Sequence, residues 1–248
     1  HLGLVQAGEI VGIEDFMTHA AETVERCCDV DALVRLSLRH RPDASETACR
    51  IPPLGQHIAV ARDEAFAFAY PHLLSGWRKQ GAELSWFSPL ADEAPHPAAD
   101  AVFLPGGYPE LHAERLEQAG TFRSGMHDRA AGGAVIYGEC GGYMTLGEEL
   151  VDASGKSRRM LGLLPLGTSF AQRKRHLGYR RLKAIAGPYA GIALNAHEFH
   201  YSTVLREGQA ERLFEAVDAA GEIVGPAGLC RGNVSGSYMH LIDLAGAA

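Results

Sequence analysis

Cysteine is scarce in this sequence, and its spacing excludes two common kinds of scaffold. The 248 residues contain five cysteines, namely Cys27, Cys28, Cys49, Cys140 and Cys230. Their number is odd and no two have the C-x-x-C spacing, which fits neither a disulfide framework nor a zinc ribbon. Unpaired cysteines suit a reducing compartment, so we expect a cytoplasmic protein.

Long runs of positive charge and of apolar residues are also absent. The formal net charge is -7 and there is no extended run of lysine and arginine, which argues against nucleic acid or an anionic membrane surface as a partner. No apolar stretch approaches the roughly 20 residues that cross a bilayer. With 46% hydrophobic and 21% charged residues, the composition is instead typical of a globular protein with a sizeable core.

A nucleotide-binding loop is the third absence. The pattern G-x-x-x-x-G-K-[ST], whose backbone amides and lysine hold nucleotide phosphates, occurs nowhere in the 248 residues. These residues therefore offer no recognisable cradle for ATP.

The first 55 residues differ in pattern from the rest. The start, His1-Leu2-Gly3-Leu4-Val5, is typical of the middle of a strand, so we expect an upstream portion to be missing. Apolar residues at helical spacing predict a helix over Ile13–Cys28 and a shorter one over Ala32–Leu38. The polar, proline-containing stretch Arg41–Gly55 follows and predicts a linker between domains.

Residues 56–248 alternate between strand and helix patterns. Short apolar runs predict strands, and longer amphipathic stretches predict helices between them. Such alternation indicates an α/β domain with a parallel sheet covered by helices on both faces. From about Leu161 the pattern loosens into short apolar pieces with many glycines, which predicts extra antiparallel strands in the C-terminal third. The predicted strands are Ile58–Ala61, Leu84–Phe87, Ala101–Leu104 and Ala134–Tyr137, and the predicted helices are Ala65–Gln80, Glu110–Gln118 and Phe122–Ala131.

The most informative stretch is a strand followed by a glycine-flanked cysteine. Gly138-Glu139-Cys140-Gly141-Gly142 reproduces the nucleophile-elbow pattern with cysteine in place of serine. At such an elbow the nucleophile adopts a strained backbone conformation, and the glycines avoid clashes with the adjoining strand and helix. Because a helix N-terminus stabilises a thiolate, the pattern predicts a nucleophilic Cys140 with a lowered pKa. A buried structural cysteine is the alternative, and it is the interpretation kept for the other four cysteines.

A second glycine-rich loop follows the predicted strand Ala101–Leu104. Ligands of parallel sheets bind beyond the carboxyl ends of the strands, so Gly106, Gly107 and Tyr108 should face the same crevice as Cys140. The backbone amides of Gly107 and Gly141 are then candidate oxyanion donors. An ordinary loop with Pro109 in the first turn of a helix is the competing interpretation.

A cysteine nucleophile needs a base, and the sequence has 12 histidines. The strand-like segment Val234–His240 ends in a histidine near the end of the chain, where a strand can deliver an imidazole to the crevice. We therefore predict His240 as the base. His197 and His200 are the alternatives.

The segment around His197 and His200 is a possible secondary site. On a strand, His197 would point opposite to Glu198 and His200. The spacing is not the helical H-E-x-x-H that binds zinc, and we expect no metal. Arg175 lies in a local basic patch, which favours either a carboxylate-rich substrate or a solvated surface.

Four segments together resemble one family. LPGGYPE (104–110), GECGGYM (138–144), AHEFHYS (196–202) and GSYMH (236–240) resemble the glutaminase domain of the cobyrinic or hydrogenobyrinic acid a,c-diamide synthases of cobalamin biosynthesis. The resemblance spans about His57 to Asp243. Upstream, HLGLVQAGE and the helix after it resemble the last part of that family's ATP-dependent synthetase domain. The resemblance thus implies a synthetase remnant plus linker over 1–55 and a glutamine amidotransferase domain over 56–248.

The resemblance implies both a fold and an activity. The fold would be a flavodoxin-like α/β sheet of the class I glutamine amidotransferase type. The full-length enzyme would be an ATP- and Mg²⁺-dependent ligase that amidates the a and c acetate side chains of a corrinoid with ammonia from glutamine. Carried onto this sequence, Cys140 is the nucleophile, His240 the base, and Gly107 and Gly141 the oxyanion donors. The glutaminase domain itself would need no cofactor.

Two departures from the family pattern limit this assignment. Many class I glutamine amidotransferases place a glutamate two residues after the catalytic histidine, whereas Leu241 and Ile242 follow His240 here. No third triad residue can be assigned from the sequence. The missing nucleotide-binding loop predicts that these residues hydrolyse glutamine and do not complete the amidation.

Three alternative interpretations stay open at this point. Cobyric acid synthase and other class I amidotransferases would keep the chemistry and change the substrate. A cysteine hydrolase or stress protein of the DJ-1 type also places a cysteine on a strand-to-helix elbow. A non-catalytic interaction domain would keep only the fold.

Overall fold

The computed structural model describes Ala7, residues 10–37 and residues 50–246. The chain forms two compact units, residues 1–47 and residues 48–248. Among the described residues, none of the helices is long and apolar enough to cross a membrane.

The first unit contains two amphipathic helices, α1 (Ile13–Cys27) and α2 (Val30–Ser37). Glu14 and Asp15 lie in the first turn of α1, where the helix dipole favours negative charge. Neither helix has a buried residue, and apolar side chains such as Phe16 and Leu33 are more than half exposed. Both predicted helices are confirmed within the described residues, although Leu38 lies outside them. The assignment of this unit to a synthetase remnant stays a prediction.

The second unit is built from four helices and fourteen strands within its described part. Three of the connections between these elements contain a short 3-10 helix, namely Pro89–Ala91, Pro109–Leu111 and Gly187–Tyr189. The helices are α3 (Pro71–Lys79), α4 (Ala113–Gln118), α5 (Gly120–Ala131) and α6 (Gly141–Leu146). The strands are β1 (His57–Ala61), β2 (Glu83–Phe87), β3 (Ala101–Leu104), β4 (Val135–Glu139), β5 (Glu149–Val151), β6 (Ser157–Arg159), β7 (Leu166–Ser169), β8 (His176–Ala184), β9 (Ala193–His200), β10 (Thr203–Glu207), β11 (Glu211–Asp218), β12 (Ile223–Arg231), β13 (Val234–Ser237) and β14 (Met239–Leu244).

Ten of these strands form one mixed sheet in the order β14-β9-β8-β11-β12-β13-β4-β3-β1-β2. Pairing is parallel from β13 through β4, β3 and β1 to β2, and antiparallel from β13 through β12 to β14. The smaller sheet has the order β10-β7-β5-β6. The α/β fold and the antiparallel strands expected in the C-terminal third are both confirmed.

Alternate residues of the parallel strands enter two separate cores. Val102 and Leu104 of β3 pack in the core that contains residues of α4, α5 and α6. Ala101 and Phe103 enter the opposite core, with Trp77 of α3. Because all four residues of β3 are buried, the strand is covered on both faces, as is typical of a parallel sheet. Helices on both faces are thus confirmed.

One predicted helix begins later than its apolar pattern indicates. The prediction started at Ala65, whereas α3 begins at Pro71. Proline disfavours helical geometry in the residue before it, and its fixed φ suits the first turn of a helix. The preceding segment instead approaches the glycine loop, where Phe68 N–H donates to the Gly106 carbonyl over 3.0 Å.

Two further boundaries differ from the predictions. The side chains of Ile51 and Leu54 are buried in the core of the second unit, so the last residues of the predicted linker belong structurally to that unit because of their apolar character. Residues 38–49 lie outside the described residues. The predicted strand Val234–His240 is divided at Tyr238 into β13 and β14, so His240 lies near the start of β14.

Candidate active site

Cys140 lies on a sharp turn between β4 and α6. Its backbone has φ 47° and ψ -100°, and it is one of two non-glycine residues with positive φ among those described. A side chain in this conformation is strained, and such strain is concentrated at functional sites. The strand, turn and helix predicted from the glycine-flanked cysteine are therefore present.

The glycines next to Cys140 are required by close packing. A Cβ atom on Gly142 would lie 1.9 Å from the Leu104 carbonyl oxygen, and one on Gly138 would lie 2.8 Å from the Gly142 carbonyl carbon. Strand β4, helix α6 and strand β3 thus approach each other more closely than any side chain permits. This contact fixes the direction in which the turn presents Cys140.

The two predicted oxyanion loops lie against each other. A Cβ built on Gly141 would lie 2.9 Å from the Gly107 nitrogen, and one on Gly107 would lie 2.0 Å from the Ala65 carbonyl oxygen. The backbones of Gly107 and Gly141 are therefore neighbours beside Cys140. Tyr108 is buried and packs edge-to-face on Phe68, with ring centroids 5.0 Å apart.

The environment of the Cys140 thiol differs from the sequence prediction. The side chain is 6% exposed, and its sulfur donates to the Phe199 carbonyl over 3.7 Å. Burial and then the nearby Glu110 carboxylate raise the pKa of the Cys140 thiol, while a hydrogen bond from the Gly141 amide acts in the opposite direction. The predicted lowering of the pKa is therefore wrong, because α6 has only six residues and desolvation outweighs its effect.

His240 is buried next to the glycine loop. A Cβ on Gly106 would lie 2.6 Å from its Cε1 atom, so the glycine makes room for the imidazole. The ring stacks on His197 of the neighbouring strand, with centroids 4.8 Å apart and planes 3° apart. Burial, followed by the neighbouring His197 and His200, lowers the pKa of His240 to about 3. An uncharged imidazole is the form that can accept a proton.

Tyr70 lies beside this stack and holds His197 in place. Its hydroxyl forms a short hydrogen bond with His197 Nε2, and its ring centroid is 6.0 Å from that of His240. Burial lowers the pKa of His197. His197 therefore belongs to the same site as His240, but its Nε2 is already engaged by Tyr70.

The sequence interpretation missed Glu139, the residue immediately before Cys140. Its side chain is fully buried, its Oε1 atom accepts a hydrogen bond from the Leu241 amide over 3.2 Å, and its Oε2 atom lies 3.9 Å from Nδ1 of His240. Burial raises the pKa of the Glu139 carboxyl to about 8, and the Leu241 hydrogen bond offsets this only partly. The sequence did contain one indication of this role, because Glu139 is a charged residue at the end of an otherwise apolar strand.

Glu198 and His200 lie on the opposite face of β9 from His197, as the alternation predicted. Glu198 Oε2 accepts from Nη2 of Arg180 over 2.7 Å, and Glu198 Oε1 lies 3.1 Å from Nε2 of His200. Burial alone would raise the pKa of Glu198, but hydrogen bonds from His200 and Arg180 outweigh it and hold the pKa at about 2. These residues line a cavity of about 460 Å³ together with Tyr238 and Lys174. Arg175 is exposed on the preceding loop.

A cluster in this cavity has the residue types of a metal site. One ligand atom each of His176, Glu198 and His200 lies within 4.8 Å of the others. The rings of His176 and His200 are stacked, with centroids 4.5 Å apart and planes 5° apart. An imidazole binds a metal in the plane of its ring, and no point lies in two parallel planes, so the arrangement does not fit a metal without reorientation of a ring. The absence of a metal here stays a prediction.

The fold and the cysteine elbow define a glutamine amidotransferase of class I. A glutamine amidotransferase structure from Thermotoga maritima has the same fold, with a TM-score of 0.50 and 16% identity over 74% of this chain and 75% of that one. Residues 57–247 match the CobB/CobQ-like glutamine amidotransferase domain. The chain belongs to this family, and the resemblance drawn from the four sequence segments is confirmed.

Two curated relatives are similar over the whole chain. A hydrogenobyrinate a,c-diamide synthase from Sinorhizobium sp is 62% identical over 250 aligned positions, which cover 100% of this chain and 57% of that protein. A protein of the same name from Brucella anthropi is 59% identical over 99% of this chain and 57% of its own length. The chain thus spans a little over half the length of these relatives.

Proposed function

We propose that this chain is the glutaminase part of an ATP-dependent corrinoid a,c-diamide synthase that acts on hydrogenobyrinic acid or a close relative. The observation that carries the proposal is Cys140 on a strained turn, with the backbones of Gly107 and Gly141 beside it. The buried imidazole of His240 completes the group. The names of the two relatives support the corrinoid substrate and favour a diamide synthase over a cobyric acid synthase.

The first half of the reaction forms a thioester. The Cys140 sulfur attacks the side-chain carbonyl carbon of glutamine while its proton passes to His240, and the Gly107 and Gly141 amides donate to the oxygen of the tetrahedral intermediate. The imidazolium then gives this proton to the departing nitrogen, which leaves as ammonia. Burial raises the pKa of the Cys140 thiol and lowers that of the His240 imidazole, which favours a neutral pair, so we propose that the proton transfer accompanies the attack.

The second half returns the enzyme to its starting state. Water attacks the thioester carbon and gives a proton to His240. Collapse of the second tetrahedral intermediate breaks the carbon–sulfur bond, the sulfur recovers the proton from His240, and glutamate leaves. One glutamine and one water give one glutamate and one ammonia.

ATP and Mg²⁺ are proposed for the full-length enzyme alone. The 248 residues contain no nucleotide-binding loop to hold ATP, so no step of amidation is assigned to them. The exposed apolar faces of α1 and α2 support the view that the first unit, residues 1–47, is part of a larger synthetase domain. A cytoplasmic location also stays a prediction.

The test is covalent labelling of Cys140 by the glutamine analogue diazo-oxo-norleucine, read by peptide mass spectrometry beside glutaminase assays. We expect stoichiometric labelling at Cys140 and ammonia release from glutamine, both abolished in Cys140→Ala with the far-ultraviolet spectrum unchanged. Cys230→Ala is the matched control, because Cys230 is equally buried but lies on β12. Wild-type activity in Cys140→Ala would remove this residue from the mechanism.

The same experiment tests the remaining rival interpretation. A non-catalytic domain would show neither labelling nor ammonia release while remaining folded.

A further inference from the structure

Glu139 and His240 present two buried polar atoms to each other. Glu139 Oε2 and His240 Nδ1 are 3.9 Å apart, and neither atom has a hydrogen-bond partner. The two side chains are 0% and 4% exposed, so water does not replace the missing partner at the surface. Leaving a buried donor or acceptor unsatisfied destabilises the folded protein. A small rotation of the imidazole would satisfy both atoms at once.

The carboxylate is also fixed to the strand that carries the histidine. Glu139 Oε1 accepts from the amide of Leu241, the residue after His240. At the other end, Glu139 is bonded directly to Cys140, whose amide donates to the Ser237 carbonyl over 2.8 Å. One side chain therefore links the backbone of the nucleophile to the backbone of the base. Catalytic hydrogen bonds are often long without substrate and shorten when it binds.

We propose that Glu139 is the positioning residue for His240, in place of the glutamate that many class I enzymes carry two residues after the histidine. The inference rests on the proposed function. Glu139 accepts a hydrogen bond from Nδ1–H, which leaves the Nε2 lone pair free to take the thiol proton. Its negative charge then stabilises the imidazolium that forms.

Within the described site, no other carboxylate next to His240 could position it. The titratable side chains that interact with Glu139 or with His240 are Tyr137 on β4, Tyr70 before α3, Cys140, and both His197 and His200 on β9. None of them is a carboxylate, and none is a permanent cation that would neutralise Glu139. The imidazolium formed during catalysis is thus its natural counter-charge.

This role makes the reaction depend on ionisation of Glu139. A protonated carboxyl cannot accept the Nδ1 proton, and burial raises the pKa of Glu139 to about 8. Glutaminase activity should therefore increase as pH rises toward 8. The increase should be governed by this carboxyl and should be absent from a variant that lacks it.

The experiment compares Glu139→Gln, Glu139→Asp and the wild type, with Tyr137→Phe as a matched control on the same strand and face. We expect kcat for glutamine to fall at least about a hundredfold in Glu139→Gln, with KM changed far less. The rise of activity toward pH 8 should disappear in that variant. Glu139→Asp, which keeps the charge, should retain more activity than Glu139→Gln and keep a pH-dependent limb. Tyr137→Phe should keep both kcat and the pH profile.

The outcomes separate this inference from the proposed function. Failure of the glutamine analogue to label wild-type Cys140 would overturn the proposed function itself. With the wild type labelled, a Glu139→Gln enzyme as fast as wild type would overturn the role of Glu139. A Glu139→Gln enzyme slowed equally at every pH, with Glu139→Asp no better, would show that Glu139 acts only through packing. Thermal unfolding of each variant checks that it is folded.

Discussion

Two buried glutamate–histidine pairs lie on opposite faces of the same sheet region, and they have opposite electrostatic character. Glu139 faces His240 over 3.9 Å, and burial raises its pKa to about 8. Glu198 faces His200 over 3.1 Å, and its pKa is held at about 2. In each pair the histidine also stacks on a second histidine, His197 or His176. The residue types are the same, yet the pKa of one carboxyl is raised and that of the other is lowered.

The difference comes from the partners of Glu198: a hydrogen bond with His200 and then hydrogen bonds from Arg180 lower its pKa. The Arg180 guanidinium donates to Glu198 through both Nε and Nη2, at 3.0 and 2.7 Å, and so supplies a permanent charge that stabilises the carboxylate. No lysine or arginine among the described residues forms an ion pair with Glu139. A satisfied pair gives structural rigidity, whereas a pair without a counter-charge can respond to a new proton. We therefore assign proton transfer to the Glu139 pair and a supporting role to the Glu198 pair.

The largest expected effect comes from removing each histidine in turn. His240→Ala should lower glutaminase kcat by about a thousandfold, because general-base catalysis contributes roughly that factor. His200→Ala should lower it far less and should act on thermal stability instead. Steady-state ammonia release, with each protein's unfolding temperature, measures both. If His240→Ala retains activity and His200→Ala does not, the two pairs exchange roles and the base lies at His200.

The pH dependence of stability should differ in sign between the two glutamates. The folded pKa of Glu139 is raised, so its contribution is complete below the unfolded value of 4.5 and is lost as pH rises to about 8. Glu139→Gln should therefore gain on the order of 4 kcal/mol relative to wild type between these pH values. The folded pKa of Glu198 is lowered to about 2, so its contribution is lost as pH falls from 4.5.

Urea unfolding of both variants from pH 3 to pH 8 tests these signs. The stability of Glu139→Gln relative to wild type should increase with pH. The deficit of Glu198→Gln should be full at pH 7 and should shrink toward pH 3. If the stability difference from wild type changed with pH in the same direction for both variants, the pKa values of the two carboxyls would be shifted in the same direction, and the contrast between the pairs would be wrong.

A smaller effect is expected from removing the cation itself. Arg180→Met should lower the free energy of unfolding by about 2 kcal/mol, because the buried Glu198 carboxylate loses a charged hydrogen-bond donor and keeps its hydrogen bond with His200. Adding Glu198→Gln to that variant should recover part of the loss, since a neutral amide needs no counter-charge. Guanidinium unfolding of the two single variants and the double variant gives the coupling energy. Additive losses would show that the ion pair is not the reason for the difference.

Much of the fold and half of the site follow from local sequence patterns. The glycines around Cys140 predict the elbow because only close packing requires them, and apolar runs predict β1 to β4. Helix α3 was misplaced because the apolar spacing continues through residues that approach Gly106 instead of forming a helix.

Properties that depend on distant residues could not be predicted in this way. The raised pKa of Cys140 depends on burial by segments far along the chain, among them the carbonyl of Phe199. Glu139 could not be predicted because its partner, His240, is about a hundred residues away, and because many class I enzymes carry the corresponding glutamate two residues after the histidine instead. Arg180 reaches Glu198 because β8 pairs with β9. The spacing of residues in the sequence does not specify this pairing, so it could not predict which Glu–His pair contacts an arginine.

The smallest expected effect concerns zinc at His176, Glu198 and His200. The parallel rings of His176 and His200 give no common point for a metal, and Arg180 already donates to Glu198. The test uses the Cys140→Ala variant, because it lacks the thiol that could compete for zinc. Micromolar zinc should leave the unfolding temperature of this variant unchanged. A ligand at a hundredfold excess over its Kd would stabilise the fold by about 2.7 kcal/mol, a shift of several degrees. A shift of that size, abolished by His176→Ala, would show that the rings reorient to bind metal and that the second pair is a metal site.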